Sequence, residues 1–222
     1  MAGVPAARSV VRMAGVPAAR NEPLLILCGG LSSRMGTPKA LLPFDGVSLI
    51  HKLIKQTHPN RPVWLAAAGQ IYPDTGRAYY LNDALPEQQG PLAAILPALQ
   101  QAHRQGEAGI YVLACDTLLH PEVVITLLTE GSHQHVWQQG ITLLADADSG
   151  RPHPLMSHWP VAVRHDLQTY LAQGKRKVTA WLDTQPCQTI GMPDAWQAVS
   201  NFNTPADFEH AVAAAKALPD VV

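Results

Sequence analysis

Residues 28–39 read CGGLSSRMGTPK and follow directly on a short apolar run, Leu24 to Cys28. Glycines let the backbone approach a ligand closely and take up positive φ. Successive free N–H groups can cradle an anion. Arg34 and Lys39 add two full charges, the guanidinium suited to bidentate phosphate contact and the ammonium to a point contact. The chemistry this set suggests is the binding of a polyphosphate. A Gly/Ser-rich surface loop with incidental charges has the same composition, so the loop alone leaves both readings open. Neither common phosphate loop is present. Gly36 is followed by Thr37-Pro38-Lys39 rather than by a GK(S/T) ending, and Gly29-Gly30 lacks the GxGxxG spacing.

Two further places carry chemistry. Cys115-Asp116-Thr117 follows the apolar run GIYVLA, residues 109–114. An Asp at the end of a buried strand can hold a hard cation such as magnesium, which takes one or two carboxylates plus substrate phosphates and water. Read alone, Asp116 serves equally as the N-cap of a following helix. Asn82-Asp83 follows a third apolar run, and Gly90-Pro91-Leu92-Ala93 opens a helical stretch, a plausible anion or ribose contact. Asp83 by itself reads as a turn or capping residue.

The elements that must position these residues can be read from periodicity. Leu24 to Cys28, Val63 to Ala68, Tyr79 to Leu81 and Gly109 to Ala114 predict buried strands. Ser48 as N-cap, followed by Leu49, Ile50, Leu53 and Ile54, predicts a helix over 48–57. Leu92 to His103 and Val123 to Leu128 predict helices; Pro97 should kink the former or mark a boundary. The second half is less regular. Val136 to Gln138 and Ile141 to Leu144 could be strands, while Asp166 to Ala172, Val178 to Leu182 and Pro205 to Leu218 read as helices. Strands alternating with helices predict an α/β fold: a Rossmann-like three-layer sandwich, with a mostly parallel sheet and helices on both faces. Ligands then bind at the carboxyl ends of the strands. The loop after Leu27, the residues after Leu81 and those after Ala114 all lie there.

Taken together the motifs resemble one family. Leu27-Cys28-Gly29-Gly30, Ser33-Arg34-Met35-Gly36, Lys39, Leu41-Leu42 and Gly46 are similar to the signature loop of the molybdenum cofactor guanylyltransferases, MobA-like nucleotidyltransferases. Asp83 with Gly90-Pro91-Leu92-Ala93, and Cys115-Asp116-Thr117, match its second and third motifs. Arg151-Pro152-His153-Pro154-Leu155, Gly174 to Leu182 and Asn201-Phe202-Asn203-Thr204-Pro205 match its later ones, from about 24 to 212 in the family's order. There are departures. Cys28 stands for the usual Ala, Pro38 for the Asp before the loop Lys, Ala94 for a Gly and Leu118 for a Pro. Ala66, Ala67 and Ala68 stand where the family tends to place an Asn.

The resemblance implies transfer of GMP from GTP to molybdopterin or its metal-loaded form, giving a guanine dinucleotide and pyrophosphate. It implies catalytic roles for Arg34, Lys39 and Asp116, with Asp116 holding magnesium or, in its place, manganese. It implies nucleotide contacts from Leu27, Cys28, Gly29, Gly30, Lys39, Asp83, Gly90, Pro91 and Asp116. Arg151, His153, Asn201 and Asn203 would face the pterin. Relatives that transfer cytidylyl groups to the same cofactor, sugar- or alcohol-phosphate nucleotidyltransferases, and a non-catalytic nucleotide-binding module remain alternatives. Molybdoenzyme chaperones could receive the product, and a monomer or weak oligomer is expected.

Composition bounds the rest. The chain has 222 residues, with Lys+Arg 16 against Asp+Glu 17, so a broad basic face for nucleic acid is not expected. No apolar run approaches the roughly eighteen residues that would span a bilayer. Cys28, Cys115 and Cys187 are far apart, with no CxxC, which fits a reducing cytoplasm better than a disulfide framework. In a 3-2-1-4 strand order, Cys28 and Cys115 would end neighbouring strands. The ten His are scattered, with only His133-x-His135 as a close pair, and zinc is not expected. The five Trp read as packing residues before pterin platforms. MAGVPAAR occurs at 1–8 and again at 13–20, so residues 1–21 read as a poorly ordered duplicated leader and 22–218 as one domain.

Overall fold

The computed structural model describes residues 21–29, 35–82, 89–133 and 140–222. Residues 1–20 of the duplicated leader, Gly30 to Arg34, Asp83 and the expected strand Val136 to Gln138 lie outside them. The elements run in the order β1 (Leu24–Leu27), β2 (Pro43–Phe44), β3 (Val47–Ser48), α1 (Leu49–Gln56), β4 (Val63–Ala66), β5 (Tyr79–Leu81), α2 (Pro91–Arg104), β6 (Gly109–Ala114) and α3 (Pro121–His133). There follow β7 (Ile141–Asp146), β8 (Pro152–Pro160), α4 (Arg164–Ala172), α5 (Val178–Leu182), β9 (Cys187–Met192), α6 (Gln197–Ser200) and α7 (Pro205–Ala215).

Seven strands form one sheet in the order β5-β4-β1-β6-β8-β7-β9. All neighbours pair parallel except β8, which runs antiparallel to both β6 and β7. The strands other than β8 therefore point their carboxyl ends to the same edge. Alternation along β1 divides the core. Leu24, Ile26 and Cys28 pack with Leu49 and Leu53 of α1, Ile125 of α3 and Ala211 of α7. Leu25 and Leu27 pack with Ile95 and Leu99 of α2, Leu167 of α4 and Trp181 of α5. Helices thus cover both faces, the three-layer arrangement expected from the sequence. Trp64, Trp159, Trp181 and Trp196 are all buried. Trp159 stacks on Trp181 with ring centroids 5.1 Å apart, so these four serve packing; Trp137 lies outside the described residues.

The local chemistry accounts for the boundaries. Ser48 caps α1 by accepting a hydrogen bond from the His51 N–H at 3.4 Å. The structure carries α2 through Pro97, so that residue marks no boundary. Four strands were not expected: the two-residue strands β2 and β3, which pair with each other, and β8 and β9 of the main sheet. The central position of β8 is at odds with its prolines, which belong at edges, strand ends or bulges. Here Pro152 and Pro160 are its end residues. Pro154 falls where the pairing to β7 slips between Leu143 and Leu144, whose partners are Ser157 and His153. Pro154 also precedes the stretch Met156–Pro160 that pairs with β6. Each proline therefore avoids the ladder positions that demand an N–H.

Candidate functional site

At the carboxyl edge of the sheet the side chains of Lys39, Asp116 and Asn203 converge. The Lys39 ammonium donates to Asp116 Oδ2 at 2.8 Å and to Asn203 Oδ1 at 3.0 Å. These residues come from three distant parts of the chain. Lys39 opens a single 3-10 turn, Lys39–Leu41, directly before β2. Asp116 lies two residues beyond β6, and Asn203 immediately precedes Thr204, the N-cap of α7.

Each is held by its own surroundings. Thr204 and Asp207 form a reciprocal capping box. Asp207 Oδ2 accepts from the N–H groups of Asn203, at 3.0 Å, and Thr204, at 2.9 Å. Those hydrogen bonds, that from Asn203 first, hold the Asp207 carboxyl below the usual range. Asn203 Nδ2 also donates to Asn201 Oδ1 at 3.4 Å. The segment after Asp116 is sewn to α6: Leu118 N–H and the Thr117 hydroxyl both donate to the Val199 carbonyl, at 2.8 and 3.2 Å. The buried Lys52 ammonium donates to the Leu118 carbonyl from α1 and sits over the Phe44 ring. Burial lowers the Lys52 ammonium to about 8.

The start of the glycine-rich loop is fixed against β4. The N–H groups of Cys28 and Gly29 both donate to the Ala66 carbonyl, at 2.8 and 3.1 Å. A Cβ on Gly29 would stand 3.3 Å from the Ala68 Cβ, so the backbones here come together closely. Ala68 itself has φ 50°, an unusual conformation for alanine. Leu27 lies buried at the end of β1. Gly90 precedes α2 with φ 86° and ψ 176°, a conformation that suits glycine, and Pro91 occupies the first helical position. Gln89 beside it accepts from Arg176 Nε at 2.8 Å.

The expected site residues thus fall into groups. Lys39, Asp116 and Asn203 form one cluster, with Asn201 at its margin. Leu27, Cys28 and Gly29 end the adjoining strand, and Gly90 and Pro91 open α2. Arg34, Gly30 and Asp83 lie outside the described residues. His153 belongs to a separate cluster in which its Nε2 lies 2.6 Å from Asp146 Oδ1, while Ser149 donates to Asp146 Oδ2 at 3.0 Å and Arg151 N–H donates to Ser149. Hydrogen bonding to His153 lowers the Asp146 carboxyl. Asp146 ends β7 on the same edge as Asp116, yet the sequence reading did not single it out. The signal was the one that marked Asp116, an Asp closing an apolar strand. Arg176 was likewise missed, although it lies in a quoted motif.

The Lys39 ammonium occupies the point where two side-chain oxygens, one of them a carboxylate, converge. This donor set fits a hard cation that takes its remaining ligands from phosphates and water. Among the described residues no three or more His, Cys, Asp or Glu side chains form a metal-binding group, and no helix is long and apolar enough to cross a membrane.

Known proteins resemble this chain in sequence and in fold. Residues 24–187 match the MobA-like NTP transferase domain. The chain is 32% identical over 207 residues to a molybdenum cofactor guanylyltransferase of Rhizobium meliloti, covering 86% of this chain and 90% of the relative. It is 30% identical over 201 residues to a probable molybdenum cofactor guanylyltransferase of Carboxydothermus hydrogenoformans, covering 86% and 94%. The crystal structure of molybdopterin-guanine dinucleotide biosynthesis protein A from Archaeoglobus fulgidus superposes with a TM-score of 0.68 at 21% identity, over 88% of this chain and 99% of that one. The fold is shared more widely: a 2-C-methyl-D-erythritol 4-phosphate cytidylyltransferase from Thermus thermophilus superposes with a TM-score of 0.58 at 16% identity, over 87% and 98%. The chain belongs to the MobA-like NTP transferase family and is a nucleotidyltransferase.

Proposed function

We propose that the protein transfers GMP from GTP to molybdopterin, in its metal-loaded or free form, giving a guanine dinucleotide and pyrophosphate. The observation that carries this reading is the convergence of Lys39, Asp116 and Asn203 at the carboxyl edge of the sheet. Its setting is a chain 32% identical to a molybdenum cofactor guanylyltransferase.

In this reaction a phosphate oxygen of the pterin attacks the α-phosphorus of GTP. The bond to the β-phosphate oxygen breaks, and pyrophosphate leaves. A phosphate monoester has its second pKa near 6, so the nucleophile is already ionised at neutral pH and needs no strong general base. Catalysis is then positioning and charge neutralisation. Lys39 exchanges its carboxylate partner for phosphate oxygens and stabilises charge building on the leaving group. Asp116, with Asn203 beside it, is freed to hold a divalent cation, magnesium or manganese; when bound, that ion neutralises charge at the α-phosphate. Arg34 and Asp83 keep the roles expected from their motifs, on the leaving group and the nucleoside. The amides of Cys28 and Gly29 donate to Ala66, so their part is to fix the shape of the loop. The Gly90–Pro91 turn offers the amino end of α2 to the nucleotide. In this reading Arg151, His153 and Asn201 serve the pterin side.

The test is thermal unfolding with each of GTP, CTP, ATP and UTP, with and without magnesium. A ligand at one hundred times its Kd stabilises by about 2.7 kcal/mol, which is about 5–10 °C for a chain of this size. GTP should give that shift, and only with magnesium. A larger shift with CTP would assign the protein to cytidylyl transfer, the outcome that Ala66 to Ala68 in place of an Asn would then explain.

A further inference from the structure

Cys28 and Cys115 stand one residue beyond the last pair of the parallel β1–β6 ladder, Leu27 opposite Ala114. The Cys115 N–H donates to the Leu27 carbonyl at 3.0 Å, which continues that ladder. Both side chains enter the same core layer, with Leu24, Ile26, Tyr111 and Leu113. They are 8% and 5% exposed, and the Cys28 thiol is directed to the Ile26 carbonyl at 3.8 Å. The next residue after one is Gly29 and after the other is Asp116. Cys187 is remote from them, on the edge strand β9 with its thiol directed to the Leu182 carbonyl.

We propose that Cys28 and Cys115 form an oxidisable dithiol, and that their conversion to a disulfide by a small disulfide closes down nucleotide binding. One cysteine thiolate attacks a sulfur of the small disulfide and expels one of its thiols. The second cysteine attacks the resulting mixed disulfide at the protein sulfur and expels the other. The two protein thiols are oxidised, and the small disulfide is reduced to two thiols.

The geometry sets both feasibility and effect. Neighbouring strands lie about 4.8 Å apart, inside the Cα separations of roughly 4.4–6.8 Å that disulfides span. Side chains standing parallel on such strands must then bring their Cβ atoms to about 3.8 Å. Closure therefore draws the strand ends together by about an ångström. That movement is delivered to Gly29 and Asp116, and displacements of this size at a reacting centre cost about 100-fold in rate. A strained bond of this kind is readily reduced, so the change is reversible. The neighbouring Cys115 thiol and then burial push the Cys28 thiol well up. The reaction is therefore slow at neutral pH, quickens with the thiolate fraction as pH rises, and needs local opening of the strand-end loops.

The test exposes the full-length protein to hydroxyethyl disulfide. It follows free thiols, intact mass, the mapped cross-link, and stabilisation by whichever triphosphate the reduced protein binds. The expected result is loss of two of the three thiols, a Cys28–Cys115 cross-link, loss of the nucleotide-induced stabilisation, and recovery with a thiol reductant. Cys187→Ser should behave as wild type, whereas Cys115→Ala should form no internal cross-link. Three thiols surviving, a cross-link through Cys187, or a cross-linked protein that still binds nucleotide normally would each overturn the proposal. Thiol count and cross-link mapping stand on the wild-type protein alone, whatever the folding of the variants. Because the nucleotide is chosen by binding, failure here is separate from failure of the GMP-transfer reading.

Discussion

Asp116→Asn separates chemistry from architecture, because the amide keeps the shape and an acceptor for Lys39 while removing the charge. The Lys39–Asp116 pair is 2.8 Å long, with side chains 16% and 22% exposed. At an effective dielectric constant of about 20 the gross attraction at that distance is about 6 kcal/mol. Desolvation and the ordering of two side chains offset most of it, and partly exposed pairs retain about 0.2–1 kcal/mol. The variant should therefore lose about 1 kcal/mol at most, a fall in Tm of about 2–4 °C. Turnover should suffer more, since the group that holds the cation against the developing charge is gone. Removal of one such stabilising element costs about 100- to 1000-fold, or about 2.7–4 kcal/mol. Pyrophosphate release with magnesium, GTP and molybdopterin, alongside a melting curve, measures both. Turnover within threefold of wild type would refute the role of Asp116. A fall in Tm beyond about 10 °C would show instead that the pair holds the fold.

Other consequences follow from local geometry. Thr204→Ala removes the hydroxyl that accepts from the Asp207 N–H at 3.1 Å; it should cost about 1 kcal/mol in chemical denaturation. Gly90→Ala places a Cβ within 4 Å of nothing among the described residues but at φ 86°, so it should cost about 1–3 kcal/mol through the backbone; an unchanged denaturation midpoint would contradict this. Folding lowers the Lys52 ammonium from its ordinary 10.5 to about 8, so the unfolded chain binds more protons between these values. Wild type should therefore gain stability relative to Lys52→Met as pH rises from 8 toward 10.5. A difference between the two that stays flat across pH 7–10 would sink that reasoning.

Much of this site could be read from sequence because its residues close strands that announce themselves. Leu24 to Leu27, Val63 to Ala66 and Gly109 to Ala114 are unbroken apolar runs, as parallel strands covered on both faces must be. Ser48 marked its helix by the chemistry of capping. The neighbourhood of Cys28 and Cys115 followed from strand order. Strand β8 was hidden because its prolines argue against a central strand, and only the slip opposite Leu143 and Leu144 accommodates Pro154. Strand β9, CQTIGM, has neither a continuous apolar run nor clean alternation. Asp146 went unseen since the expected strand stopped at Leu144, two residues short. The Lys39–Asn203 contact joins positions 164 apart, a closure that spacing cannot reveal and only the packing of α6 and α7 against the Asp116 segment creates.

The central claim is that this edge of the sheet transfers GMP to the pterin. Its most direct test is to incubate the protein with magnesium, molybdopterin and each triphosphate in turn, and to measure pyrophosphate together with the mass of the pterin product. The account predicts pyrophosphate with GTP in step with a molybdopterin guanine dinucleotide, dependent on the pterin and lost in Asp116→Asn. A cytosine dinucleotide from CTP, or GTP bound without any product, would contradict it.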